Sequence, residues 1–214
     1  MADLQPYASP VARRRPQFSM RSLALLMLMA AVSFGGWRWA TSERRAIAEI
    51  ERGGGRVTAG EDNFGSYRAV HVMGGDAFLA LLPNIADVRV VMVDEQGVTD
   101  AGLAPLAKLT HLEDLWLHNC QIGDAGAAHL AGLKTLITLG LDHTLVGDAG
   151  LAHLEGLSNL EELDLSGNSG VSDAGVAHLL GLPKLKVIHL DGSAVSDDGG
   201  QRLRDAIPGI LVER

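Results

Sequence analysis

Residues 112–133 of the chain read LEDLWLHNCQIGDAGAAHLAGL, and this stretch decides the fold because copies of it recur along the sequence. Each copy begins with spaced aliphatic residues and continues, in most cases, to an Asp-Ala-Gly triplet. A degenerate unit at 67–87 precedes the full copies. The full copies start 24, 24, 24 and 25 residues apart, at Val88, Leu112, Leu136, Leu160 and Leu185. Agreement at several independent positions in each copy identifies an internal repeat.

The two halves of each unit predict different secondary structures. Leu115 and Leu117 alternate with other residues, which is the period of a β-strand with one buried face. In the second half, Leu103, Leu106 and Leu109 are three residues apart, which is helical spacing. A strand followed by a helix in every unit predicts an α/β fold with a parallel sheet and helices on one side. Because no unit can bury its leucines alone, the units are expected to stack into a curved solenoid.

Two sets of polar residues keep the same place in the units. The first set is predicted to hydrogen-bond the backbone of the turns, and it comprises Gln96, Cys120, Thr144, Asn168 and Ser193. We therefore interpret Cys120 as a structural residue rather than a nucleophile. The second set faces the positive end of each helix dipole, and it comprises Asp100, Asp124, Asp148, Asp173 and Asp197. Thr99, Ser172 and Ser196 are predicted helix N-caps, and the triplet glycines are expected to let neighbouring helices approach closely.

The combined pattern L-x-x-L-x-L-x-x-(N/C/T)-x-(V/I)-x-D-A-G-x-A-x-L-x-x-L resembles the leucine-rich repeat. Its 24-residue length and its second half resemble the ribonuclease-inhibitor-like, cysteine-containing subclass, and the whole layout resembles bacterial membrane-anchored leucine-rich-repeat proteins. The resemblance covers about residues 67–214. It implies a right-handed βα superhelix with a leucine-rich-repeat sheet on the concave face, helices on the convex face, and non-leucine strand residues open to the concave side.

Charge and cysteine content exclude several functions. Residues 1–45 carry seven arginines and two acidic residues, whereas residues 46–214 have a net charge of −13. A nucleic-acid surface needs clustered cations, so the large second part has the wrong sign. A single cysteine permits neither an internal disulfide nor a zinc site with two or more cysteines.

The N-terminal part predicts a membrane anchor. Residues 22–37 contain no charged side chain, and flanking Arg and Trp residues extend the span to 18–39, long enough for a transmembrane helix. We assign 1–17 to a basic cytoplasmic tail, 40–66 to a juxtamembrane helix and linker, and 67–214 to the repeat domain. The arginines before the span favour a cytoplasmic N-terminus, with the repeats on the exported side. A cleaved signal peptide is the main alternative.

The expected concave face supplies the candidate binding site. Adjacent strands lie about 4.8 Å apart, so equivalent residues form rows of neighbouring side chains. An exposed Trp among polar residues is typical of binding hot spots. We predict the partner-binding residues Asp114, Trp116, His118, Asp142, Asp164 and His189. One alternative is a merely solvated face, and another is a metal site at Asp94, His118 and Asp142.

The sequence favours a non-catalytic protein-interaction module. It contains no nucleophile elbow, zinc-protease motif, phosphate-binding loop or dinucleotide fingerprint, and we predict no cofactor, no bound metal and no small-molecule substrate. The recurring His129, His153 and His178 are expected to decorate the convex surface. The acidic repeats favour a basic protein partner. Alternatives are an intracellular ubiquitin-ligase-type substrate adaptor, a self-associating envelope protein and an enzyme.

Overall fold

The computed structural model describes residues 41–62, 65–94 and 96–214. The predicted basic tail at 1–17 and the predicted membrane span at 18–39 lie outside the described residues. Within the part of the chain that the structure describes, no helix combines the length and the apolar character that a membrane crossing requires.

In the described residues, eight strands form one sheet, and their order in the sheet follows the chain. The strands from the second to the eighth are parallel, whereas the first pairs with the second in the antiparallel sense. The strands are β1 (Arg56–Asp62), β2 (Gly65–Val72), β3 (Val88–Asp94), β4 (Asp114–His118), β5 (Thr138–Gly140), β6 (Glu162–Asp164), β7 (Val187–His189) and β8 (Leu211–Glu213). The predicted α/β repeat fold with a parallel sheet is confirmed.

The repeated leucines lie side by side in the sheet. Leu115 pairs with Leu139, Leu139 with Leu163, and Leu163 with Ile188. All four side chains are fully buried in one hydrophobic core that runs through the units. Burying an aliphatic side chain of this size stabilises a fold by about 1.5–3 kcal/mol, so the regular spacing of the leucines accounts for the stacking.

The helical half of each unit is short. The α-helices are α1 (41–52), α2 (Asp76–Leu79), α3 (Asp124–Leu130), α4 (Asp148–Ala152), α5 (Asp173–Val176) and α6 (Asp197–Ala206). Shorter 3₁₀ helices cover Leu82–Asn84 and Ala177–Leu179. In the unit that starts at Val88, Asp100–Lys108 is a 3₁₀ helix that contains Pro105. Proline lacks a backbone N–H and disfavours an α-helix interior.

An N-terminal helix and an antiparallel strand precede the repeats. Helix α1 buries Ala46 and Ile50 in the common core, as its amphipathic pattern indicates. Glu43 at its start accepts a hydrogen bond through Oε1 from the backbone N–H of Ala86, at 3.2 Å. Within the segment assigned to the juxtamembrane helix and linker, Arg56–Asp62 forms β1, which pairs along its whole length with β2. The strand lacks the repeat pattern, so the sequence does not predict its position.

The repeated aspartates bind the next unit. In each junction, Oδ1 of the aspartate accepts a hydrogen bond at 2.7–2.8 Å from a backbone N–H of the next unit. The donor is the residue directly before the next unit's own aspartate. We call this series the aspartate ladder, and its rungs are Asp76, Asp100, Asp124, Asp148 and Asp173. Asp197 differs, because its Oδ1 accepts instead from Nη1 of Arg214 at 2.6 Å.

The triplet glycines make room for this ladder. A Cβ added to any of them would lie 1.9–2.6 Å from the previous aspartate's Oδ1, which is closer than atoms can approach. These glycines are Gly102, Gly126, Gly150, Gly175 and Gly199. The expected close approach of neighbouring helices is therefore confirmed, and the group that needs the space is the carboxylate of the preceding unit.

Two of the three predicted N-caps are confirmed. The side chain of Ser172 accepts a hydrogen bond from the N–H of Ala174, and that of Ser196 accepts one from Gly199. The prediction for Thr99 is wrong, because its side chain makes no cap hydrogen bond. The Thr99 hydroxyl donates to Oδ2 of Asp76 at 2.7 Å, so it reinforces the ladder instead.

The polar residues after each strand bond the turns in four of the five units. Thr144 and Ser193 donate their hydroxyls to backbone carbonyls at 2.8 and 2.7 Å, and Cys120 donates its thiol to the carbonyl of His118 at 3.3 Å. Asn168 is 1% exposed; its side chain accepts from the N–H of Thr144 at 2.8 Å. Gln96 is exposed, which distinguishes it from the four.

Candidate functional site

The non-leucine strand residues form rows on the side of the sheet away from the core. The first row is Val90, Asp114, Thr138, Glu162 and Val187. The second row runs through all eight strands as Arg56, His71, Met92, Trp116, Gly140, Asp164, His189 and Glu213. We call these two rows, together with Asp94, His118, Asp142, Ser166 and Asp191, the open face. It is the face that the sequence predicts to be concave.

Trp116 lies at the middle of the second row. Its neighbour Gly140 is buried, and a Cβ added there would lie 2.4 Å from Cε3 of Trp116. The indole therefore packs over the Gly140 backbone. On the other side, Met92 is 44% exposed. Trp116 itself is half-buried, so it presents an aromatic surface between a methionine and a glycine.

His118 lies between two carboxylates from neighbouring units. Its Nδ1 is within hydrogen-bond distance of Oδ2 of Asp142, and its Nε2 lies 4.0 Å from Oδ1 of Asp94. The His143 ring meets it edge-on, at 5.7 Å between ring centroids. The two carboxylates face opposite nitrogens of one ring, so the three side chains do not converge on a common point. The described residues contain no group of three His, Cys, Asp or Glu side chains arranged to hold a metal ion.

His189 has a similar environment at the C-terminal side of the sheet. Its Nδ1 lies 2.9 Å from Oε2 of Glu213, and its Nε2 lies 3.7 Å from Oε1 of Glu162. The neighbouring Asp164 accepts a hydrogen bond from the N–H of Ser166 at 2.8 Å. Glu213 is not among the residues predicted from the sequence, although Leu211–Glu213 continues the strand pattern and its register places Glu213 beside His189.

The six predicted binding residues fall into three groups. Trp116 and Asp164 flank Gly140 in the second row, and His189 follows Asp164. His118, the last residue of β4, contacts Asp142, which lies two residues after β5. Asp114 stands apart in the first row, between Val90 and Thr138.

Negative charge accumulates toward the C-terminal side of the open face. From Val90 onward, the open face contains no lysine or arginine. Its acidic residues are Asp94, Asp114, Asp142, Glu162, Asp164, Asp191 and Glu213. These carboxylates lie on neighbouring strands of the sheet.

A depression of about 260 Å³ opens at the N-terminal side of the same face. It is lined by Arg56, Thr58, Ala69, Val70, His71 and Met92. Part of its lining comes from β1, which lacks the repeat pattern, so the sequence does not predict this depression.

An ion-pair cluster lies at the start of β3 and β4. Arg89 reaches Oδ2 of Asp87 at 3.3 Å and Oε1 of Glu113 at 3.6 Å, and its guanidinium stands 5.5 Å from the centroid of the Tyr67 ring. His111, which the sequence left without a role, lies 3.1 Å from Asp87. Burial raises the pKa of Asp87, but hydrogen bonds from Arg89 and His111 outweigh it and leave that pKa below its usual value.

Two segments, 108–131 and 156–180, match a family model described as a leucine-rich repeat. With the repeated strand–helix units, these matches support a leucine-rich-repeat protein. No curated protein sequence matches the chain.

Several solved structures are similar to the chain. An internalin (inlF) from Listeria monocytogenes has 20% identity and a TM-score of 0.48, covering 64% of this chain and 36% of its own. Internalin C2 from the same organism has 21% identity and a TM-score of 0.43, covering 65% and 75%. The LRR ectodomain of the receptor kinase SOBIR1 from Arabidopsis thaliana has 14% identity and a TM-score of 0.49, covering 73% and 96%. The match thus spans 36% of the length of the first internalin.

Proposed function

We propose that this protein is a membrane-anchored, non-catalytic interaction module whose open face binds a basic segment of a protein partner. The single observation that carries the proposal is the composition of the open face. Carboxylates on consecutive strands surround Trp116, and from Val90 onward no lysine or arginine neutralises them. The 24-residue period and the Asp-Ala-Gly triplets support the ribonuclease-inhibitor-like subclass.

The size of the open face suits a standard protein interface. Eight strands spaced about 4.8 Å apart give a sheet about 34 Å wide. Stable interfaces bury about 800 Å² on each partner, and a face of this width can supply that area. Trp116 provides a large apolar contact at the centre, and residues of this type carry much of the binding energy in many interfaces.

The charge of the open face predicts how binding responds to salt. Attraction between the carboxylates and a basic segment accelerates association, and dissolved salt screens it over about 8 Å at physiological ionic strength. Affinity should therefore fall as salt rises. An apolar or acidic partner would not show this dependence.

The membrane part of the proposal is supported by the sequence alone. Residues 22–37 carry no charge, and Arg and Trp residues flank them. Protease added to intact cells and to inverted membrane vesicles tests the orientation. Digestion of the repeats from the exported side supports the proposal, and their protection on that side contradicts it.

A charge-reversal experiment tests the binding surface. The full chain is titrated with fluorescently labelled decalysine, and decaglutamate serves as the control peptide. We expect Trp116→Ala and Asp164→Lys to weaken decalysine binding several-fold. The matched control Glu51→Lys makes the same charge change at an exposed position of α1, and it should retain binding. Equal weakening by both lysine substitutions would show that only net charge matters and would reject the open-face site.

A further inference from the structure

We infer that the depression between β1, β2 and β3 is an anchor pocket for one apolar side chain of the partner, and that this anchor fixes the position of the partner's basic residues. The inference rests on the proposed function, since it concerns the same open face. It specifies the partner segment as an extended peptide with one aliphatic residue separated from a lysine or arginine cluster.

The lining of the pocket selects an apolar side chain. Ala69 and Met92 supply hydrocarbon surface, and Met92 is 44% exposed beside the opening. The exposed cation Arg56 also lines the pocket, so a lysine or arginine of the partner would be repelled there. Small-molecule pockets usually enclose about 300–1,000 Å³. A volume of about 260 Å³ is better matched to a single side chain.

The side chains of the second row change in chemical character from one end of the row to the other. It begins with the cation Arg56, continues through Met92 and Trp116, and reaches Asp164 and Glu213 at the far side. A partner that lies across the strands therefore meets cationic Arg56 and apolar Met92 at one side and anionic groups at the other. Its own complementary order is an apolar residue at one end and basic residues at the other.

The strand spacing gives the distance between the anchor pocket and the carboxylate of Asp164. Ala69 lies on β2 and Asp164 lies on β6, four strand intervals away, which is about 19 Å at 4.8 Å per interval. An extended peptide advances about 3.3 Å per residue, so this distance corresponds to about six residues. Since alternate side chains of an extended peptide point to the same side, an even spacing lets both the apolar and the basic side chain face the sheet.

Short synthetic peptides test the anchor directly. The probe has one leucine, five alternating glycine and serine residues, and two lysines; a second probe has the reverse order, because the chain direction of the partner is not fixed by the pocket. In the control peptides, serine replaces leucine, or a single glycine replaces the five-residue spacer. Binding of the full chain is measured by fluorescence anisotropy. We expect the better-oriented leucine peptide to bind about tenfold more tightly than its serine control, as burial of a leucine side chain predicts.

Variants of the chain separate the contribution of the apolar pocket from that of the carboxylates. Ala69→Leu fills the pocket and should abolish the preference for leucine over serine, while the salt dependence remains. Ala59→Leu makes the same change on β1 at an exposed position outside the pocket lining, and it should keep the preference. Asp164→Asn should reduce the salt dependence and retain the preference for leucine.

The outcomes distinguish this inference from the proposed function. Equal binding of leucine and serine peptides by the native chain, or an unchanged preference in Ala69→Leu, overturns the anchor pocket even when decalysine binds through the open face. Equal binding of the peptide with the five-residue spacer and the peptide with the single-glycine spacer also overturns the anchor pocket. Failure of every lysine peptide to bind overturns the proposed function as well. Because the leucine–serine comparison uses the native chain, it does not depend on the folding of any variant.

Discussion

Asp148 accepts two hydrogen bonds from Ser172, which lies one unit further along the chain. The backbone N–H donates to Oδ1 at 2.7 Å, and the hydroxyl donates to Oδ2 at 2.6 Å. Asp173 and Ser196 repeat the arrangement in the next unit, at 2.7 and 2.6 Å. Adjacent units are therefore joined by a carboxylate as well as by buried leucines.

The first prediction concerns acid stability. Burial raises the pKa of Asp148, but the hydroxyl and amide of Ser172 outweigh it, and the folded-state pKa lies below the usual 3.8. Hydrogen bonds from Ser196 likewise lower the pKa of Asp173. A carboxyl group with a lowered folded-state pKa stabilises the fold above its unfolded-state pKa, and this contribution is lost as the pH falls through the folded-state pKa.

Asp148→Asn should therefore be destabilising at neutral pH and nearly neutral at strongly acidic pH. A hydrogen bond to a charged acceptor contributes about 1 kcal/mol more to stability than one to a neutral acceptor. We therefore expect Asp148→Asn to lower the free energy of unfolding by about that amount at pH 7. Urea unfolding at pH 7, 4 and 3 measures it. The control is Asp198→Asn at an exposed position of α6. A loss that stays constant with pH would contradict this account.

The second prediction concerns the triplet glycines. Replacing glycine by alanine within a helix normally stabilises it by about 1 kcal/mol. At Gly150, however, the new Cβ would lie 2.6 Å from Oδ1 of Asp124 and 2.8 Å from Cγ1 of Val146. Gly150→Ala should therefore destabilise the protein, by about 1–3 kcal/mol as in other overpacked sites.

Gly181→Ala is the matched control, because nothing lies within 4 Å of the Cβ it would add. We expect no loss of stability there. Urea midpoints of the two variants make the comparison, and stabilisation by Gly150→Ala would show that the aspartate ladder tolerates a side chain at this position.

The third prediction concerns backbone strain at His143. Its φ of 53° is in the left-handed region, whereas the equivalent positions of the next two units are Gly167 and Gly192. Left-handed backbone costs a non-glycine residue about 1–2 kcal/mol, and the greater freedom of glycine in the unfolded chain offsets about 0.4–1 kcal/mol of that. His143→Gly should thus raise the free energy of unfolding by about 0.5 kcal/mol.

The reverse change provides the check on this explanation. Gly167→Ala places a side chain at a φ of 76°, and its Cβ would lie 2.4 Å from Nδ1 of His143. Thermal unfolding of both variants should show opposite shifts in Tm. A lower Tm for His143→Gly would mean that the ring contact with His118 outweighs the strain.

The fourth prediction concerns the buried Asn168. Its Oδ1 accepts from the N–H of Thr144 at 2.8 Å, and its Nδ2 donates to the carbonyl of Leu141 at 2.7 Å. Asn168→Ala leaves the Thr144 N–H without this acceptor, and an unsatisfied buried group costs about 1–3 kcal/mol. We expect a loss in that range in guanidinium unfolding.

Asn168→Thr tests the specificity of this effect, because Thr144 occupies the same position one unit earlier. It should lose less stability than the alanine variant. Equal losses would indicate that the volume of the side chain, rather than its hydrogen bonds, determines the effect.

The sequence predicts features that repeat, and it misses features that do not. The 24-residue spacing correctly places Leu115 beside Leu139, and it brings His118 next to Asp142. The ladder bonds from aspartates to the next unit escape prediction because their donor is a backbone N–H, which leaves no mark on residue identity.

The two ends of the sheet were harder to predict for a different reason. Strand β1 pairs in the antiparallel sense and has no equivalent in any other unit, so periodicity could not place Arg56 opposite His71. Glu213 lies 24 residues after His189, so the repeat spacing could have placed it there, but the short strand after α6 lacks the rest of the repeat pattern. The anchor pocket and the second carboxylate at His189 both depend on these end strands.

The aspartate ladder has a further consequence for how such an array changes in length. From Asp100 to Asp173, each aspartate of the ladder accepts a hydrogen bond from the next unit, and the residue before it donates one to the aspartate of the preceding unit. Copying residues 124–147 in tandem would create new joints identical to the existing ones, whereas adding or removing part of a unit would separate a carboxylate from its amide. Evolution by whole-module duplication is thus compatible with this architecture, in which Asp197 accepts instead from Nη1 of Arg214.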